Sequence, residues 1–350
     1  PTLHYLFKFL DAYDFASEGG EDIAEDNKTI INASVLGKVF EKINGYKDGS
    51  IFTPGFITMY MSRQSLRPAV IQKFNEYFKT EGIAEISTFE ELYNRVDKIE
   101  IKTANQVVNS LRVCDPAVGS GHFLVSALNE LILIKSELGI LADKNGKRLR
   151  DYEFTIENDE LIITDEHGLF VYNHLNKESQ RVQETIFGER QTIIENCLFG
   201  VDINPNSVKI CRLRLWIELL KSSYYLPSPA GEPGVRLETL PNIDINIKCG
   251  NSLISRYALD ADIKKALKRS KWSIDSYRLA IMSYRNARSK EEKRDLEDLI
   301  LAIKSDFETE VSTSDKRFIR LKKAKDDLFT LTNQGQLFEK SKKEVAEWNK

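Results

Sequence analysis

Three short stretches of the chain carry residue types that hold small ligands: VCDPAVGSG at 113–121, FGVDINPN at 199–206 and KCGNS at 248–252. In the first, an apolar run stops at Asp115-Pro116 and passes through a small-residue loop, Gly119-Ser120-Gly121, into an apolar helix. A strand, a tight glycine turn and a helix present backbone N–H groups to a ligand. A dinucleotide-binding loop would read GxGxxG. Here the third glycine is missing and an acidic residue stands ahead of the turn. An acid is unfavourable beside a pyrophosphate and favourable beside an ammonium group. S-adenosyl-L-methionine has that ammonium, no phosphate, and a ribose with two free hydroxyls. Such a ribose needs a carboxylate at the end of the second strand, which is the place of Asp202. Asn251, at the third strand end, suits an adenine edge.

Taken singly, each feature has a plainer explanation. The loop could be only a turn and a helix cap, Asp202 a cap for the helix after Asn204, and Asn251 an ordinary polar residue. Their order on consecutive strand ends favours one shared ligand. His122 follows the loop and reads as an exposed first-turn residue rather than a base.

The elements that must position these residues can be read from period and punctuation. Residues 1–50 read as helical, with Val35, Leu36, Val39, Phe40 and Ile43 on one face, ending at the turn cluster NGYKDGS. In IFTPGFITMYMSRQSL, Thr53 is a natural N-cap and Pro54 a natural first helical residue. Further helices follow over 66–110, broken near Gly82 and Ser87. From 111 strands and helices alternate: LRVCDP, a helix from Ser120, the strand CLFGVDI, a helix after Asn204-Pro205-Asn206, and the strand-like run IDINIKCGNSLI. The region 140–190 contains FTIEND and LIITDEHGLFVYN, which predict a peripheral β-hairpin insertion. The tail to Lys350 predicts two or three long helices. The expectation is an α/β, Rossmann-like parallel sheet with ligand at the carboxyl ends of its strands. The predicted divisions are a helical region at 1–110, the α/β core at 111–256 and a basic helical segment at 257–350.

Bulk composition excludes several classes. No run of about 18 uncharged apolar residues exists, so no membrane span is expected. Cys114, Cys197, Cys211 and Cys249 lack CxxC spacing, which speaks against a zinc site and a disulfide framework and for a reducing, cytoplasmic setting. The net charge of −3 hides an asymmetry. Residues 264–350 hold 22 Lys+Arg and 15 Asp+Glu, against 28 and 38 in the rest. That basic tail could face phosphate or be a solvated helical face. The N-terminus has no signal-peptide pattern and no Met, and the chain is read as a fragment.

The ordered set of motifs resembles the methyltransferase region of gamma-class, adenine-specific amino DNA methyltransferases, especially those of type IIG restriction–modification enzymes. FTPGFITMYMSRQ resembles motif X, DPAVGSGHFL motif I, FGVDINPNSV motif II, and LPNIDINIKCGNSLI motif III with its lead-in. INASVLGKVFEKINGYKDGS, just upstream, is similar as well. The resemblance implies that Thr53 and Pro54 touch the methionine moiety of S-adenosyl-L-methionine. It further implies that Asp115, Pro116, Ala117 and Gly119 line the same end, with Gly121 permitting close backbone approach. Asp202 would hold the ribose, Ile203 would pack on adenine, and Asn251 would accept from the adenine amino group. Many relatives have Asp at that last position; an amide oxygen still accepts the bond.

Two departures stand out. Asp115 and Asp202 are 87 positions apart, where a simple strand–helix–strand unit needs roughly 20. The family's catalytic (N/D/S)PP(Y/F) loop, which binds the flipped adenine, is absent: the only Asn-Pro, Asn204-Pro205, precedes Asn. No catalytic residue is therefore assigned. The expectation is the cofactor half of a double-stranded-DNA adenine N6-methyltransferase, truncated before that motif and inactive alone. The alternatives are an RNA, protein or small-molecule methyltransferase, and a non-catalytic DNA-binding module.

Overall fold

A computed structural model of the protein describes residues 53–157, 159–227, 235–238, 242, 245–254, 267–287 and 289–335 except 315, together with two short strands near the N-terminus. Those strands, β1 (Tyr13–Asp14) and β2 (Thr29–Ile30), pair in parallel. Residues 1–50 were expected to be helical; these two strands depart from that, and the rest of the stretch, with the apolar face at 35–43, lies outside the described residues. The chain divides into two compact units, Pro1–Ser252 and Leu253–Lys350.

In the first unit, helix α1 (Gly55–Thr80) buries Thr58, Ser62, Leu66, Val70, Phe74 and Phe78, a stripe recurring every fourth residue. Its start departs from expectation. Pro54, extended at ψ 142°, holds the cap position without a side-chain bond, so Thr53 is not the cap. The Pro54 carbonyl instead accepts from Ile57 and Thr58 N–H, which satisfies the first turn through the backbone. Two short helices follow, α2 (Phe89–Val96) and α3 (Ile101–Asn109). Thr88 accepts from Glu91 N–H and caps α2.

Strand β3 (Val113–Asp115) leads into helix α4 (His122–Glu137). Nearly every residue of α4 is buried, which places it at the centre of the unit. The 140–190 region then forms a three-stranded antiparallel sheet, β4 (Glu153–Glu157), β5 (Glu160–Asp165) and β6 (Gly168–Leu169). It is not peripheral as expected: Phe154 joins the core, and Asp159, in the turn between β4 and β5, is buried. The insertion also contains a 20-residue helix, α5 (Lys177–Asn196), capped by Asn176.

Strand β7 (Leu198–Asp202) and helix α6 (Pro205–Leu220) come next. The loop beyond α6 carries an unexpected antiparallel pair, β8 (Tyr225–Pro227) and β9 (Val235–Leu237). β10 (Ile247–Cys249) completes a parallel sheet of order β10-β7-β3. Asp115 lies opposite Gly200, and Cys249 opposite Asp202, so all three strands end at one edge. This sheet with its packed helices gives the mixed α/β architecture expected of a Rossmann-like methyltransferase. Asn246 fixes the start of β10 by donating its amide to the Ile194, Glu195 and Leu198 carbonyls at 2.9, 2.8 and 3.0 Å.

The described residues of the second unit include the helices α7 (Ile274–Asn286), α8 (Lys290–Ser314) and α9 (Lys316–Gly335). Tyr284 is buried, with its hydroxyl donating to Glu297 at 2.8 Å. Among the described residues no helix is long and apolar enough to cross a membrane.

Candidate cofactor site

The loop between β3 and α4 is held by its backbone N–H groups, which donate to two carboxylates and two carbonyls. Ala117 N–H donates to Asp115 Oδ1 at 3.0 Å, closing an Asx turn. Val118 N–H reaches across to the Val201 carbonyl at 2.9 Å. Gly119, at φ +53°, donates to Asp202 Oδ2 at 2.8 Å. Gly121, at φ +86°, donates to the Val118 carbonyl at 2.8 Å and opens α4. The left-handed conformation alone favours glycine there. Packing adds a second reason, because a Cβ on Gly121 would lie 2.8 Å from Cys211 Sγ of α6.

Gly200 contributes from the middle of β7, although the sequence reading passed over it. A Cβ there would come within 2.8 Å of Val118 Cγ2 and 3.2 Å of Ile247 Cδ1. Its absence lets the loop sit down on the strand. A glycine inside an apolar strand pattern is the signal that could have identified it.

Asp202 ties the loop to the second strand end. While Oδ2 accepts from Gly119, Oδ1 accepts from Asn204 N–H at 2.8 Å. The Asp202 carbonyl accepts from Gly250 N–H at 2.9 Å, joining the third strand end. Ser252 then donates to the Pro116 carbonyl at 2.8 Å and closes the ring back to the loop. Asn204, not Asp202, caps α6 through Asn206 N–H at 2.9 Å. Asp115, Pro116, Ala117, Gly119, Gly121, Asp202, Ile203 and Asn251 thus share one edge. Ile203 and Asn251 are exposed there, with Ile203 at 66%.

Thr53 and Pro54 reach that end through helix pairing. Thr58 meets Ser126, and Arg67 meets Glu130 and Glu137, so α1 and α4 run side by side in the same direction. The first turn of α1 therefore lies at the loop end of α4. The first two turns of α1 present Phe56, Tyr60 and Met61 to solvent at 73, 65 and 50% exposure. His122 departs from the sequence reading: it is only 4% exposed, because α4 is enclosed from its first turn onward.

Two carboxylates, Asp115 and Asp202, set the charge at the loop. Burial, reinforced by the Asp202 charge, pushes the Asp115 carboxyl above its usual range, while the Ala117 N–H opposes that shift. Two neighbouring acids favour a cation and repel a phosphate. The loop amides of Ala117, Val118, Gly119 and Gly121 all have protein acceptors, so none of these four is turned toward an anion.

Three likenesses to known proteins bear on the chain. Residues 1–31 match the family described as a domain of unknown function (DUF7814). The chain is also 32% identical over 266 residues to a Methanocaldococcus jannaschii protein named as a type II restriction enzyme and methyltransferase. That match covers 71% of this chain and spans 18% of the length of the relative. Residues 196–340, which include β7 and β10, match the family described as Eco57I restriction-modification methylase.

Proposed function

We propose that this chain binds S-adenosyl-L-methionine at the carboxyl ends of β3, β7 and β10, and that it is the cofactor-binding part of a DNA adenine N6-methyltransferase. One observation carries the reading. The glycine loop uses its amides on protein acceptors and keeps two carboxylates beside it, an arrangement for a cationic, phosphate-free ligand. In this reading Asp115 with Pro116, Ala117 and Gly119 receives the amino-acid end, and Thr53 and Pro54 close over it. Asp202 accepts from the ribose hydroxyls, Ile203 packs on the adenine and Asn251 accepts from its amino group.

When bound, the cofactor supplies an electrophilic methyl group. The residues of this chain bind and orient it, and positioning of this kind supplies much of the rate in a direct transfer. The restriction–modification relative and the methylase match support double-stranded DNA as the substrate. The base-binding (N/D/S)PP(Y/F) loop is absent from the 350 residues, so this chain alone is assigned no transfer activity.

Isothermal titration of the chain with S-adenosyl-L-methionine, and separately with NAD, tests the cofactor. Micromolar binding of the first without the second is expected. Binding of NAD alone would overturn the reading. Adenine specificity is tested with the whole enzyme by transfer of labelled methyl groups to duplex DNA followed by nucleoside digestion. Label in N6-methyladenine is expected, and label in cytosine would refute the specificity.

A further inference from the structure

The long insertion between β3 and β7 places a carboxylate beside the helix that begins at Pro54. Asp159, in the turn between β4 and β5, has φ +68° and is 6% exposed. A Cβ built on Gly55, the first residue of α1, would lie 3.4 Å from Asp159 Cβ. Ser126 of α4 donates to Asp159 Oδ1 at 2.6 Å, and Ser126 Oγ lies 2.7 Å from Thr58 Oγ1 of α1. Thr58 in turn reaches the Gly55 carbonyl at 2.9 Å. From the other side, Arg214 of α6 approaches Asp159 Oδ2 at 3.5 Å, and Asn129 of α4 donates to the Asp159 carbonyl at 2.8 Å.

These contacts join three helices, each of which starts at a different part of the candidate site. α1 follows Thr53-Pro54, α4 follows the glycine loop, and α6 follows Asp202. Ser126 gives its one proton to Asp159, so in the Ser126–Thr58 contact Thr58 is the donor and shares its proton with the Gly55 carbonyl. We infer that Asp159 is a positioning residue for the cofactor site, holding the first turn of α1 against α4 so that Thr53-Pro54 closes over the amino-acid end of the ligand. The inference rests on the proposed S-adenosyl-L-methionine site and assigns a role to the inserted hairpin.

Two ligands separate this role from general structural support. S-adenosylhomocysteine has the amino-acid end, whereas 5′-methylthioadenosine lacks it. Titrations of both against the wild-type chain, Asp159→Ala and Thr58→Val read the two ends independently. The Thr58 variant keeps the side-chain shape and serves if Asp159→Ala fails to fold. Each variant should weaken S-adenosylhomocysteine about fivefold to tenfold, the loss of one to two hydrogen bonds, with methylthioadenosine affinity within about twofold of wild type. Hydrogen exchange should quicken at Ile57 and Thr58 and stay unchanged at β3 and β7. Equal loss for both ligands, or no loss for either, would overturn the inference. A wild-type chain that binds neither ligand would sink the cofactor reading itself, and the inference with it.

Discussion

Replacing Asp202 by alanine tests whether one carboxylate holds the candidate site together before any ligand arrives. The side chain accepts two backbone N–H bonds, from Gly119 and Asn204, each at 2.8 Å. Bonds to a charged acceptor are worth about 1.5–3 kcal/mol when protected. Asp202 is half-buried, so water replaces part of each, and about 1 kcal/mol apiece is the reasonable scale. The total of about 2 kcal/mol corresponds to about 4–8 °C in Tm for a unit of this size. Asp115→Ala gives the contrast. It removes one acceptor, for Ala117 N–H, and also a carboxyl whose ionisation burial already disfavours, so its loss should be smaller. Thermal unfolding of the ligand-free chain, with hydrogen exchange at Gly119, reads both variants. A Tm for Asp202→Ala within about 1 °C of wild type, with Gly119 still protected, would show that the carboxylate does not anchor the loop.

Three further variants address the frame around the site. Gly200→Ala should cost about 1–3 kcal/mol by overpacking against Val118 and Ile247, and adding Val118→Ala should recover part of it. Strict additivity in denaturant titrations would refute that contact. Asn246→Asp should destabilise by about 2–4 kcal/mol, more than Asn246→Ala, because a carboxylate would face three carbonyls that need a donor. The reverse order would overturn the assignment. The third prediction concerns pH. Burial is the largest influence on Asp159 and lifts its carboxyl from 3.8 to about 6; Glu218 adds to this, while Ser126, Arg214 and Lys221 oppose it. The folded state then holds more protons than the unfolded state between these values, so stability falls as pH rises through the window. Relative to Asp159→Asn, the wild type should lose about 2 kcal/mol between pH 4 and pH 7. A constant difference across that range would show that Asp159 does not titrate in place.

The sequence made the strand ends legible because punctuation there is local. Asp115-Pro116, the paired glycines and Asn204-Pro205 each end or begin an element through their own backbone preferences. Helix α5 was less visible. Gly188 interrupts its pattern, and its buried face includes Gln183, Thr185 and Arg190, which do not read as apolar. Arg190 is buried because it donates to the Glu218 carbonyl and lies 3.4 Å from Glu218 Oε2, a partner 28 residues away. His122 was misread for a related reason. First turns are often exposed, but α4 is enclosed by elements that join it from both directions along the chain.

The same physics explains why the insertion looked peripheral. Its turn carries Asp159 and β5 opens on Glu160, and adjacent acids at a hairpin turn normally face water. Here they meet charges supplied much later in the chain. Arg214 lies by Asp159, and Lys221 lies 3.2 Å from Glu160 and 3.0 Å from Glu218. With Arg190 beside Glu218, three acids oppose three bases, and all but Lys221 are nearly withdrawn from solvent. Removing one member strands its partner, which is why buried pairs are costly to break even when they add little stability when intact. The hairpin therefore cannot be treated as a removable loop between two ligand motifs. Its acids neutralise α6 and hold α1, so the geometry of the strand-end site depends on residues that lie outside every motif that identified it.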